Sequence, residues 1–413
     1  MKKERVVITG IGLITPLGLD TKSSWEAIKN GKLGIKKLSK VSLDDVDISL
    51  AAEILNFDPL AHFSKKEARR MDTVTQYGVV AAREALASSK LQTGDYDPER
   101  AGVIVGTGIG GLSTIEKEHE TGLTRGFGRI SPFFIPLSIA NITAGSIAMD
   151  SGFHGCCTAV VTACAAATNS IGEAFHKIRD GYLDLALAGG AEASITDLGI
   201  GGFASLHALS KSTEPETGSR PFDRDRDGFV MGEGAGILLL ESLSSAKRRG
   251  APIIAEIVGY GASCDAYHLT APDPEGSEAA HCLRLCIEDA GLQPEDIQYI
   301  NAHGTSTPLN DSCETLAIKK CFGERAYALK ISSTKSQIGH LLGASGGVEA
   351  AVTALALHDQ FAPPTLGLVN PDPDCDLDYL PGQGQALEMH YALSNSLGFG
   401  GHNACLALKR YEA

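Results

Sequence analysis

The chain has 413 residues, more than one ordinary core usually spans, so two domains or one large duplicated unit are expected. Hydrophobic residues make up 43% and charged residues 21%, the balance of a folded globular protein with no long polar tract. The formal net charge of −14 argues against general nucleic-acid binding, which needs a cationic surface, while leaving room for a local basic patch.

Read from the N-terminus, MKKERVVITGIGLITPLG has the outline of a signal peptide, but its apolar stretch carries glycines and a proline and lacks a small-residue cleavage site. It reads as a strand followed by a turn. Short apolar runs ending in glycine follow: RVVITGIG at 5–12, AGVIVGTG at 101–108, LDLALAGG at 183–190 and IQYINAHG at 297–304. IIAEIVGYG at 253–261 and AYALKISSTK at 326–335 are similar. Helical patterns such as 71–89 lie between them, so the chain is expected to be α/β with buried, partly parallel sheets. Strand-and-helix series on either side of about residue 250 suggest an internal duplication. No stretch reaches the roughly 18 apolar residues of a membrane span. The ten cysteines are scattered and follow no secretory signal, so reduced thiols and a cytoplasmic location are expected.

Three motifs have bland explanations. GTGIGG at 106–111 matches a dinucleotide-binding pattern but runs into EKEHETGLTRGFGR, without the acidic residue expected about 20 positions on, so a tight turn lining a pocket is the better reading. DRDRDG at 223–228 opens like a calcium loop, yet Gly234 stands at the twelfth position, and a turn held by Asp–Arg pairs is expected instead. His281, Cys282 and Cys286 share one helical stretch without a fourth metal partner, and read as buried small thiols.

Other segments carry chemistry. VTACAAATNSIGEAFHKI at 161–178 places Cys164 where a strand end meets a helix start, and a helix N-terminus favours thiolate. NAHGTSTPLND at 301–311 puts His303 at a strand end, and SSTKSQIGHLLGASGGVEA at 332–350 puts Lys335 and His340 before a glycine-rich helix start. A cysteine with two such histidines points to a nucleophile with polar assistants. SNSLGFGGHNA at 394–404 can aim backbone N–H groups of the turn around Phe399 at an oxyanion, or be an ordinary strand connection.

Together with PFDRDRDGFVMGEGAG, these stretches resemble the β-ketoacyl-[acyl-carrier-protein] synthases, in particular the synthase II type of bacterial fatty-acid elongation, over essentially the whole chain. The resemblance implies a thiolase-like duplicated fold, layered αβαβα, with residues 1–250 as the half carrying the nucleophile and 251–413 as the half carrying the histidines. It implies a decarboxylative Claisen condensation between acyl-Cys164 and malonyl-carrier protein, giving a 3-oxoacyl-carrier protein two carbons longer. By motif, Cys164 is the nucleophile and His303 and His340 complete a Cys–His–His triad. Lys335 lies between them with Glu349 as its ion-pair partner, Phe399 supplies an oxyanion-hole N–H with Cys164, and Thr305 and Thr307 contact the pantetheine arm. Ile109 and Phe203 match acyl-pocket positions. No metal or organic cofactor is implied, and the partners are acyl and malonyl carrier proteins and a second copy of the chain.

The carrier protein of this pathway is acidic, so a local basic face is expected. Ser64 and Glu67 read as a capping box, with Lys65, Lys66, Arg69 and Arg70 on neighbouring turns of one helix, joined by Arg125 and Arg129. AAATNS after the cysteine and His207 depart from the family pattern; neither touches the catalytic groups. Related readings are synthase I or a type II polyketide ketosynthase. A thiolase would carry a second cysteine where this chain has GFGGHN, a synthase III would lack His340, and a chain-length factor would lack Cys164.

Overall fold

All nine residues of strand β1, Val6–Ile14, are buried. A strand covered on both faces reads as a continuous apolar run rather than an alternating one. The structure, a computed structural model, describes residues 3–412. The other strands in chain order are β2 (Lys36–Lys37), β3 (Leu50–Ala51), β4 (Ala101–Gly106), β5 (Cys157–Thr158), β6 (Leu185–Glu192) and β7 (Gly234–Ser242). They continue with β8 (Ala255–Cys264), β9 (Tyr299–Asn301), β10 (Lys330–Ser332), β11 (Phe361–Ala362), β12 (Gln385–Ala386), β13 (Tyr391–Gly398) and β14 (His402–Arg410).

Ten of these strands form one sheet in the order β10-β9-β13-β14-β8-β1-β7-β6-β4-β5. Reading outward from its middle, β1 pairs antiparallel with β7, β7 antiparallel with β6, β6 parallel with β4, and β4 parallel with β5. The other side repeats this pattern: β8 antiparallel with β14, β14 antiparallel with β13, β13 parallel with β9, and β9 parallel with β10. A short antiparallel contact of Val6–Ile8 with Ala255–Ile257 joins the two series. The duplication is thus a repeat of strand pairing.

Helices cover both faces. Helix Thr73–Ser89, capped by the Asp72 carboxylate accepting from the Val74 N–H, packs outside β1 and β7. Helices Ser277–Asp289 and Pro308–Phe322 pack outside the second series. Helices Ala166–Arg179 and Ser345–Asp359 pack against each other and against strands of both series, forming the central layer. That layer is closely packed because its helices present alanine and glycine: Ala350, Ala351, Ala354 and Ala356 are fully buried. The layers run helix, first strand series, central helix pair, second strand series, helix.

Several expectations shift locally. Of the run 326–335 only Lys330–Ser332 is strand; Gly323–Ala328 is a 3-10 turn and Lys335 opens the short helix Lys335–Ile338. Helix Lys65–Ala68 is a single turn, so Arg69 caps it and Arg70 lies beyond it, rather than the four cations occupying successive turns. The Ser64–Glu67 capping box is present. Cys282 and Cys286 lie in the apolar core with Cys405, while His281 on the same helix is exposed, so this is packing and not a ligand set. In the DRDRDG turn, Asp223 accepts the N–H groups of Asp225, Val369 and Asn370, and Arg226 donates to the Thr307 and Pro308 carbonyls. The turn braces the chain segment that follows His303.

Candidate active site

Cys164 sits in a 3-10 turn, Ala163–Ala165, that feeds directly into helix Ala166–Arg179. The preceding Ala163 has φ +49°, a left-handed conformation that costs a non-glycine residue about 1–2 kcal/mol. Such a turn persists only where its surroundings hold it. One restraint is Gly398 at the end of β13: a Cβ there would lie 2.9 Å from the Thr162 carbonyl oxygen and 3.3 Å from the Cys164 nitrogen. Another is the Asn169 side chain, which donates to the Thr162 hydroxyl at 2.7 Å and accepts from the Tyr260 hydroxyl at 2.6 Å. Tyr260 comes from β8, so the second strand series helps to hold the turn.

The histidines arrive from the second series. His303 follows β9, and its backbone N–H and that of Gly304 both donate to Glu314 at 2.8 Å. His340 is fixed by its main chain against Val230 and Gly232. Its Nε2 lies 3.0 Å from Cys164 Sγ, and its Nδ1 lies 2.9 Å from the Ser345 hydroxyl. The two imidazoles face each other edge to face with centroids 5.3 Å apart. Lys335 Nζ is 3.2 Å from His303 Nδ1 and is ion-paired with Glu349. A lysine ammonium only donates, so Nδ1 of His303 accepts and its proton resides on Nε2. The backbone N–H of Phe399 donates to the Cys164 sulfur.

Burial controls the electrostatics. Cys164 is pushed up to about 12, mainly by desolvation, against the pull of Lys335 and the Phe399 N–H. The expected thiolate is therefore not the resting form: the helix end cannot outweigh complete enclosure, and the thiol keeps its proton facing His340. Burial and then Lys335 hold both histidines well below their usual range, so both are neutral at pH 7. Glu314 is raised to about 7 by burial, against three hydrogen bonds from His303, Gly304 and Asn395. Cys164 Sγ and a ring nitrogen of each histidine lie within 4.8 Å of one another, a spacing open to a soft metal ion. The protonated Nε2 of His303 suits hydrogen-bond donation rather than ligation.

A cavity of about 390 Å³ holds these groups. Its walls include Cys164, His303, His340, Phe399, Phe203, Thr305 and Thr307; the two threonine hydroxyls are 2.9 Å apart. Phe203 packs against Phe229 and Phe399. Ile109 is not among the cavity walls: it is 36% exposed on its turn, which packs against residues 137–140. Lys65, Lys66, Arg69, Arg70, Arg125 and Arg129 are all exposed, with the Arg70 guanidinium 5.1 Å above the Phe133 ring.

Sequence reading missed Ser345, Glu314 and Glu192. Glu192 is buried at the end of β6 and accepts from the N–H groups of both Gly108 and Gly343, tying the GTGIGG turn to the loop after His340. A glutamate after GGA at a strand end was a usable signal. Nothing local marked Glu314 within a helix.

Residues 3–246 match the family described as beta-ketoacyl synthase, N-terminal domain, and residues 254–369 its C-terminal domain. The chain is 51% identical over 412 residues to "3-oxoacyl-[acyl-carrier-protein] synthase 2" of Staphylococcus aureus strain N315, covering 100% of both. It is 48% identical to the protein of the same description from Synechocystis, covering 100% of this chain and 99% of that one. Among solved structures, a type II polyketide ketosynthase in complex with its acyl-carrier protein superposes with a TM-score of 0.92 at 34% identity, covering 99% of this chain and 100% of that one. A beta-ketoacyl synthase from Burkholderia phymatum gives 0.92 at 35% with the same coverage. These neighbours carry the layered thiolase-like fold described above.

Proposed function

This chain belongs to the beta-ketoacyl synthase family, and from that premise we propose that Cys164, His303 and His340 carry out a two-stage condensation in its cavity. It is an acyltransferase-class condensing enzyme of fatty-acid synthesis. The observation carrying the residue roles is the 3.0 Å contact between Cys164 Sγ and His340 Nε2, with His303 facing the same space.

In the first stage the Cys164 thiol gives up its proton to solvent and the sulfur attacks the acyl thioester, with the Nε2–H of His340 donating to it. The tetrahedral oxyanion is held by the N–H groups of Phe399 and Cys164. The carrier thiolate departs and takes up a proton, leaving acyl-Cys164. In the second stage malonyl-carrier protein enters and its carbon–carboxylate bond breaks, releasing CO2. The enolate oxygen accepts from the Nε2–H of His303 and from His340. The carbanion carbon then bonds to the acyl carbonyl, the C–S bond to Cys164 breaks, and one solvent proton restores the thiol. Lys335 and Glu349 keep His303 in its donor tautomer, and Thr305 and Thr307 bind the pantetheine arm. Phe203 bounds the acyl chain, for which each buried CH2 contributes about 0.8 kcal/mol.

The chain divides best at 250/251, a reading supported by the repeated strand pairing and by the family matches ending at 246 and resuming at 254. A homodimer is supported by exposed apolar residues on adjoining elements, Phe127, Ile135, Met149 and Leu198 among them, beside the free edge strand β5. Ile109 lies on that same surface, so it would meet the acyl chain only in the dimer. The basic residues 65–70 with Arg125 and Arg129 are the proposed carrier-protein dock. Among the described residues no helix is long and apolar enough to cross a membrane; the cytoplasmic location is proposed from the kinship with enzymes of fatty-acid synthesis.

Intact-mass spectrometry of carrier protein, after reaction of malonyl-carrier protein with acyl-carrier proteins of graded length, tests the proposal. A 3-oxoacyl product two carbons longer, lost in Cys164→Ala, is expected. Condensation only from coenzyme A thioesters would refute it.

A further inference from the structure

Helix Ala166–Arg179 carries the nucleophile turn at its start, and one of its faces presents Asn169, Gly172 and His176, three and four residues apart. Tyr260 of β8 lies along that face. A Cβ at position 172 would fall 2.3 Å from the Tyr260 ring, so glycine is what lets the ring lie against the helix. The His176 ring meets it edge to face with centroids 5.2 Å apart, and the Tyr260 main-chain N–H donates to Asp289. So held, the ring aims its hydroxyl at Asn169 Oδ1, to which it donates at 2.6 Å. Burial raises that hydroxyl above the usual phenol range, so it stays a donor at any working pH. Asn169 Nδ2 donates to the Thr162 hydroxyl at 2.7 Å, and the Thr162 carbonyl accepts the Ala165 N–H. A line of side chains therefore runs from the second strand series to the residue that opens the Cys164 turn. Asn169 is buried, where an amide oxygen without a donor is costly.

We propose that Tyr260 is a positioning residue that, through Asn169 and Thr162, holds the Cys164 backbone N–H and sulfur in register for the acyl-transfer stage. The turn has a reason to move without it. Ala163 is in the left-handed region, and a strained conformation persists only where its neighbours over-determine it. Moving that turn displaces together the attacking sulfur and the Cys164 N–H, one of the two oxyanion donors. The second stage depends on other groups. His303 is anchored through Glu314, and His340 through the main chain of Val230 and Gly232, none of which the Tyr260 line touches. The two stages are therefore supported by separate restraints. The inference rests on the roles given above to Cys164, His303 and His340.

Tyr260→Phe is the decisive variant, because it keeps the ring on Gly172 and His176 and removes only the hydroxyl, so folding is retained. Acyl transfer from acyl-carrier protein to Cys164, measured without malonyl substrate as the mass gained by the enzyme, should slow about tenfold. Decarboxylation of malonyl-carrier protein, measured without acyl donor as CO2 release, should stay within about twofold of wild type. A merely structural role would lower both alike. Thr162→Val breaks the line at its other end and should give the same split, while Thr162→Ser, which keeps the hydroxyl, should retain transfer. Because both hydroxyls act on one turn, the double variant Tyr260→Phe, Thr162→Val should be no slower than the slower single variant, rather than slowed by the product of the two. Equal loss in both stages, no loss in either, or multiplied losses in the double variant would overturn the role of Tyr260. Survival of condensation in Cys164→Ala would instead overturn the underlying site, so the two failures are distinguishable.

Discussion

At the scale of single residues, the site is built from groups whose ordinary titration has been suppressed. Glu314 shows how this reaches into stability. Its folded-state value of about 7 lies above the unfolded value near 4.5, so the folded protein binds that proton more tightly. The stabilisation is fully present below about pH 4.5 and is lost as pH rises through about 7, a swing of about 3 kcal/mol. The difference in unfolding free energy between wild type and Glu314→Gln should change by that amount between pH 4.5 and pH 8 in urea titrations. The fixed cost of the amide cancels in this comparison, and a constant difference would show that the carboxyl is already ionised across the range. The hydrogen bonds it accepts from His303 and Gly304 make its state matter for catalysis too: protonation removes an acceptor from the loop that aims His303. That Cys164, His303 and His340 gather around one cavity was legible in part, because each histidine lies beside a glycine and the cysteine stands at a helix start. The resting charge of Cys164 was not legible, since it depends on enclosure by residues from distant parts of the chain.

At the scale of elements, the same distinction holds between local signals and tertiary ones. Helix Thr73–Ser89 was readable because Asp72 precedes a periodic apolar run, and the structure adds what sequence could not show. The Asp72 carboxylate caps that helix through Val74, and its other oxygen accepts the Thr114 N–H and the hydroxyls of Ser113 and Thr114, in the first turn of helix Leu112–Arg125. One buried carboxylate thus serves two helix starts. Asp72→Ala should cost about 2–4 kcal/mol, more than the ~1 kcal/mol of a single cap, because donors on two helices lose their acceptor together. Chemical denaturation measures this directly; a loss of 1 kcal/mol or less would mean that the second helix start is satisfied by water. Short strands such as β5 and β10 were overread or missed, because two or three residues carry no periodicity and owe their conformation to neighbouring strands. The single-turn helix Lys65–Ala68 fell short of its expected length for a related reason. Its residues are all exposed or nearly so, and no buried face extends it.

At the scale of the molecule, the duplication was legible as a succession of strands and helices but not as a topology, since the order of pairing is decided between segments far apart in sequence. Charge behaves in the opposite way: the total is read at once, and its distribution needs the fold. A chain of net charge −14 should repel an acidic partner, yet Lys65, Lys66, Arg69, Arg70, Arg125 and Arg129 are exposed, and Arg70 leans over Phe133 in the segment just past Arg129. If an acidic carrier protein docks there, the encounter is steered by a local field working against the global one. The attraction should weaken steeply with salt, because screening shortens from about 8 Å at 0.15 M to about 3 Å at 1 M. The expected result is a KM for acyl-carrier protein that rises several-fold between 0.05 and 0.5 M salt with little change in kcat. The double variant Arg125→Glu, Arg129→Glu should raise that KM about tenfold or more at low salt and flatten the salt dependence. Turnover of a small acyl thioester lacking the carrier protein should be unaffected in the same variant, because the cavity groups are untouched. A KM indifferent to salt would place the docking surface elsewhere, and a parallel loss with the small thioester would show that the substitutions had disturbed the cavity itself.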